Sequence, residues 1–245
     1  MRLIVLALVA TASAVATTPD ITILSAGAVE EGIVRLAREY TRDGRREIST
    51  HFGTGPEIEK RLASGESVDV LIAPAAVVER AVKAGHVVAD TQTPIARVGV
   101  GVAVRRGAPQ PNVTTVETLK TALLRADSVV YNQASTGLYL EKLFADMGIL
   151  DQLKPKTTRY GNAARVLEHV IAGRGAEIGF GPITEIKTYE PKGLVLVAPL
   201  PTAVQNYTTY VAVVTCGTRA PAAKDFVRYL TSAEARNTLT ATGAH

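Results

Sequence analysis

Small residues bearing hydroxyls, amides or no side chain at all recur at four places where an apolar strand pattern gives way to a helical one. These are Ser25-Ala-Gly-Ala, Gly53-Thr-Gly-Pro, Ala134-Ser-Thr-Gly and Gly161-Asn-Ala-Ala. The first N–H groups of a helix have no partner inside it and lie at the positive end of its dipole, so such a junction suits an anion. The expected contacts are backbone N–H groups around Gly27, Ala28, Gly55, Thr136, Gly137 and Ala163, with the Asn162 side chain and the hydroxyls of Ser25, Thr54 and Ser135. All are neutral donors. A charged hydrogen bond is roughly twice as strong as a neutral one, so a site built from dipoles favours reversible capture. Ser, Thr and Asn are also the preferred helix N-caps, and Thr54 with Glu57 has the spacing of a capping box.

Other chemistries lack their residues. His51, His86, His169 and His245 stand in no metal-binding spacing, and no Gly-x-Ser-x-Gly elbow occurs. Gly99-Val-Gly and Gly53-Thr-Gly fall short of a dinucleotide fingerprint, and there is no phosphate-loop Gly-Lys-Ser/Thr. No catalytic residue, metal or cofactor is expected.

The elements that must position these junctions alternate. Ile21 to Leu24 reads as a buried strand, and Val29, Ile33, Leu36 and Tyr40 then recur at helical spacing. Strands follow near 47–52 and 68–73, with helices at 57–63 and from Pro74 to Gly85. After a strand over 98–104 and the bend Arg105-Arg-Gly-Ala-Pro-Gln-Pro, the pattern restarts. Helices are expected at 115–124 (with Glu117 as capping partner), along Leu140, Leu143, Phe144 and Met147, and at 163–172. Strands are expected at 128–131, 157–160, 177–180 and 194–197. An extended run over 208–215 precedes a closing helix pair between Pro221 and Thr242. Units of this kind imply an α/β fold with a largely parallel sheet.

The 245 residues, 47% apolar and 20% charged, suffice for one large or two modest domains. Met1-Arg followed by the apolar run Leu3 to Ala10 and the small-x-small Ala14-Val-Ala reads as a secretory signal over residues 1–16. That run is shorter than the ~20 residues that span a bilayer. The formal charge of +4 becomes +3 without Arg2. Lys and Arg are dispersed, with no run beyond Arg45-Arg46 or Arg105-Arg106 and no interleaved aromatics, which argues against nucleic acid as partner. Cys216 is the sole cysteine, so no intrachain disulfide forms. Its apolar surroundings place it in the core.

Several stretches carry a family resemblance. Ile21-Thr-Ile-Leu-Ser-Ala-Gly-Ala, Phe52-Gly-Thr-Gly, Val68-Asp-Val-Leu-Ile-Ala, Ser135-Thr-Gly-Leu-Tyr and Phe226-Val-Arg-Tyr-Leu-Thr-Ser-Ala-Glu-Ala resemble, in matching order, the periplasmic molybdate-binding proteins of ABC importers. The resemblance spans nearly the whole mature chain. It implies a two-lobed α/β periplasmic binding protein of type II, with mixed, mostly parallel sheets, two chain crossings and hinge closure on the ligand. Lobe 1 would comprise residues 17–100 and 206–245, and lobe 2 residues 101–205. The family's two ligand serines fall on Ala28 and Gly55, its backbone donors on Thr136 and Ala163, and its cleft tyrosine on Pro182. The implied function is capture of a molybdate- or tungstate-like oxyanion by a monomer in the periplasm, for delivery to an ABC permease. Because Ala28, Gly55 and Pro182 lack the family's hydroxyls, a small organic carboxylate is the alternative ligand, and anion sensing without transport the alternative role.

Overall fold

The computed structural model describes residues 21–44, 46–216 and 220–245. The signal segment expected over 1–16 lies outside the described residues.

The first half opens with β1 (Ile21–Ala26), a 3-10 turn at Gly27–Val29 and α1 (Glu30–Arg42). β2 (Ile48–Gly53), α2 (Gly55–Ala63), β3 (Val70–Pro74) and α3 (Ala75–Lys83) follow. β1 pairs parallel with both β2 and β3. The apolar stripe read from α1 is buried: Ile33, Leu36 and Tyr40 join the core formed by β1, β3 and the later strand β9 (Tyr207–Val214).

β4 (Thr93–Arg105) is longer than the 98–104 expected, and its length sets the architecture. Its first part, to Gly99, pairs antiparallel with β9, which itself pairs antiparallel with β3. From Val100 onward it pairs with β7 (Glu177–Pro182) and β8 (Leu194–Pro199). β4 therefore leaves one half and enters the other without a break, and β9 brings the chain back.

The second half carries α4 (Val116–Arg125), β5 (Ser128–Asn132), α5 (Ser135–Asp146), α6 (Leu150–Leu153), β6 (Thr157–Tyr160) and α7 (Ala163–Ala172). β5 lies parallel between β6 and β7. A helix absent from the sequence reading, α8 (Ile183–Tyr189), follows β7 directly. α9 (Ala220–Tyr229) and α10 (Ala233–Ala241) return to the first half, where Tyr40 meets Phe226 edge-on at 5.2 Å. The sheet runs β2-β1-β3-β9-β4-β7-β5-β6, with β8 beside β4: a mixed, two-lobed α/β fold.

The buried side chains form separate clusters. One draws on residues between 21 and 98 and between 210 and 244; the other two lie between 100 and 200. Where they adjoin, the Gln205 side chain accepts from Val100 N at 2.9 Å and donates to Val100 O at 3.0 Å.

Two local expectations are corrected. Cys216 is exposed, because β9 ends at Val214 and the apolar run stops short of it. The capping partner of Thr115 is Thr118, at the third helical position, and not Glu117: the Thr118 N–H donates to the Thr115 hydroxyl at 3.2 Å and Thr115 N–H to the Thr118 hydroxyl at 3.0 Å.

Candidate functional site

The four junctions open onto one cleft of about 330 Å³ between the halves. In parallel β–α units the helix starts gather beyond the carboxyl ends of the strands, which is where ligands of open α/β sheets sit. Gly27 and Ala28 line the cleft from the end of β1, and Thr54 and Gly55 from the end of β2. Ser135 and Thr136 come from the start of α5, Asn162 and Ala163 from the start of α7, and Pro182 from the end of β7. No Lys, Arg or His is among the lining residues.

Two expected contacts fall elsewhere. β1 continues through Ala26, so Ser25 is a strand residue, fully buried, and its hydroxyl lies 3.3 Å from the Ala26 carbonyl. It does not reach the cleft. Gly137 does not line it either: its N–H donates to Asn132 Oδ1 at 3.0 Å, and a Cβ there would sit 1.6 Å from the Asn132 carbonyl oxygen. Glycine is required for close passage of the α5 start past the end of β5. Asn132 Oδ1 also accepts from Ala134 N at 3.1 Å, so this asparagine fixes the junction.

The remaining donors are unequal. Thr54 and Glu57 form the capping box, with Thr54 N and Thr54 Oγ1 both donating to Glu57 Oε2 at 2.7 and 2.9 Å. The Thr54 hydroxyl proton is thereby engaged within the protein. Asn162 caps α7 by accepting from Arg165 N at 3.0 Å; with its oxygen so fixed, its amide N–H groups remain as donors. Pro182 contributes no N–H.

Residues that the sequence reading missed complete the walls: Glu30 at the start of α1, Phe52, Pro74, Asn132, Glu185 on α8 and Tyr210 on β9. Glu185 is the chemically distinctive one. Its Oε1 is 3.8 Å from where a Cβ on Gly27 would stand, beneath the first junction. Burial first, and the nearby Glu30 second, push its carboxyl up to about 7. Glu30 is also raised, by burial and by Glu31, with Lys192 opposing. Burial and then Glu185 raise the Tyr210 phenol. Pro182 ahead of a short helix with an acid in its first turn was the available signal for Glu185. A second cavity of about 190 Å³ shares Gly27, Glu30 and Glu185 with this wall and is also lined by Tyr189 and Lys192. Among the described residues, no three His, Cys, Asp or Glu side chains group to hold a metal.

A family model of bacterial extracellular solute-binding proteins matches residues 21–245. The chain belongs to that family. The periplasmic molybdate-binding protein of Azotobacter vinelandii superposes with a TM-score of 0.75 over 92% of this chain and 98% of its own, at 15% identity. The sulfate-binding protein SubI of Mycobacterium tuberculosis H37Rv gives a TM-score of 0.72 over 91% and 85%, at 18% identity. At such identities the likeness is one of fold. In sequence, the family member is similar to an aconitate isomerase of Pseudomonas, at 27% identity over 229 residues covering 91% of this chain and 86% of that protein. None of the helices among the described residues is long and apolar enough to cross a membrane.

Proposed function

We propose that this solute-binding protein is the periplasmic substrate-binding component of an ABC importer and captures a small anion in the cleft between its lobes. The observation that carries this reading is the convergence of four helix starts, two from each half, on one cleft whose lining has neutral donors, the acids Glu30, Glu57 and Glu185, and no fixed cation. Orphan N–H groups at those starts would hold the anion. The ligand would touch both lobes, and closure follows from its higher affinity for the closed state. The lobes are taken as 17–100 with 206–245, and 101–205. The oxyanion specificity of the fold neighbours makes molybdate and tungstate the first candidates.

A second reading, a small organic carboxylate as ligand, has its own support. Ala28, Gly55 and Pro182 offer no hydroxyl to a tetrahedral oxyanion, the cleft contains a carboxyl that titrates near neutrality, and the chain is similar to an aconitate isomerase. A thermal-shift screen over molybdate, tungstate, sulfate, phosphate, succinate and trans-aconitate separates the two. A ligand at 100 times its Kd adds about 2.7 kcal/mol. Stabilisation by oxyanions alone supports the first reading, and by carboxylates alone the second. No shift with any anion overturns both. Monitoring cis–trans interconversion of aconitate in the same samples distinguishes capture from turnover, and a permease gene beside this one distinguishes import from sensing.

A further inference from the structure

An anion cleft without a fixed cation nevertheless holds three carboxyl groups in its wall, Glu30, Glu57 and Glu185. Glu185 forms no hydrogen bond to another described residue, unlike Glu57, whose carboxylate is held by Thr54. Its Oε1 stands 3.8 Å from where a Cβ on Gly27 would be, against the turn of the first junction. An ionised carboxylate there would occupy the field meant for the ligand and repel it at short range, where little water lies between. A neutral carboxylic acid at the same place reverses the interaction, because it carries an O–H donor.

We infer that Glu185 enters the bound complex as a neutral acid donating its proton to an oxygen of the anion, so that capture above neutral pH takes up a proton from solvent. This rests on the anion-capture reading and adds a residue that decides which oxygens the cleft accepts: those of an ionised carboxylate or oxyanion that can receive a hydrogen bond. The groups around Glu185 favour this state. From α1 it is faced by Glu30, with Glu31 and Arg35 beyond, and from β9 by Tyr210; α2 contributes Glu57 across the cleft. On its own helix and the turn after it lie Lys187, Tyr189 and Lys192, and α7 adds Glu168 beside Tyr189. Of these, Glu30 is the charge that acts on Glu185, and it opposes ionisation. Lys192, which lines the second cavity together with Glu185, acts on Glu30. An anion arriving in the cleft adds to Glu30 and pushes the Glu185 carboxyl further up, which is proton uptake by linkage.

The test is calorimetric titration of the full-length mature protein with sulfate, fully ionised between pH 6 and 9, and with trans-aconitate, whose last carboxyl finishes ionising near pH 7 and whose slope is read above that, in two buffers of different ionisation heat. For a probe that binds, the expected Kd is flat below pH 7 and rises about tenfold per pH unit above it, with proton uptake approaching one per ligand. Glu185→Gln keeps a donor but cannot titrate, so its Kd should be flat across the range and its proton uptake absent; its melting temperature without ligand confirms folding. Binding with a pH-independent Kd, or a slope that survives in Glu185→Gln, overturns the inference and leaves anion capture standing. Should neither bind, the same titration is run with molybdate; binding of none of the three overturns the inference together with the reading beneath it.

Discussion

Asn132 and Gly137 hold the third junction in a geometry that a single methyl group would break. A Cβ at 137 would stand 1.6 Å from a backbone carbonyl oxygen, a position from which only main-chain displacement gives relief. Gly137→Ala should therefore destabilise the protein by about 2 kcal/mol or more. Chemical denaturation with an unchanged m-value is the measure; a wild-type midpoint would refute the packing role. The residue scale is also where the sequence was least legible. Spacing located the junctions, and Gly27, Ala28, Thr54, Gly55, Ser135, Thr136, Asn162, Ala163 and Pro182 do line one cleft. Spacing could not say which atoms face it. Ser25 was displaced because β1 runs two residues further than its apolar pattern, and Gly137 because its N–H is taken by a side chain five residues earlier. Tyr210 comes from the returning strand, far from any junction motif, and only the fold brings it in, whereas Glu185 sits on α8 three residues past Pro182, in a helix the pattern did not reveal.

At the scale of elements, alternation of strand and helix was readable because each change of period is marked by Gly, Pro, Ser, Thr or Asn. α8 escaped because it spans only seven residues, Ile183–Tyr189, between Pro182 and the Glu190-Pro-Lys turn. Too few turns are present for a periodicity to emerge. The full length of β4 escaped because its entry, Thr93-Pro-Ile-Ala-Arg, mixes polar residues and a proline into the strand, with a register shift between Pro94 and Ala96. That strand and β9 are the crossings, and Gln205 brackets Val100 where β4 changes partners. Gln205→Ala takes the side-chain acceptor from the Val100 N–H, while the Val100 carbonyl keeps the Leu200 N–H at 3.0 Å; the loss is about 1–3 kcal/mol. Thermal unfolding should show it, together with altered protection of the Val100 amide in hydrogen exchange. Unchanged protection there would remove Gln205 from any part in the crossing.

For the whole molecule, two halves with separate cores meet along β4 and β9 and present helix starts to each other. This arrangement was legible as an architecture from the repeated unit of each half together with the family resemblance. The anion was not, because backbone N–H groups are common to every sequence and leave no side-chain signature. The central claim, that backbone donors at helix starts hold an anion, is tested most directly at Ala163. This is the first residue of α7, and the preceding Asn162 is extended, at φ −143° and ψ 168°. Proline is well tolerated at the first helical position, and an extended residue before it suits it. Ala163→Pro thus deletes one N–H from the cleft while leaving the helix in place. The measurement is the calorimetric Kd, in wild type and in Ala163→Pro, of whichever anion stabilises the wild type most in the screen. A lost hydrogen bond to a charged group is worth about 1.5–3 kcal/mol, so affinity should fall by about 10–100-fold with the melting temperature of the free protein nearly unchanged. An unaltered Kd in a well-folded variant would contradict the account.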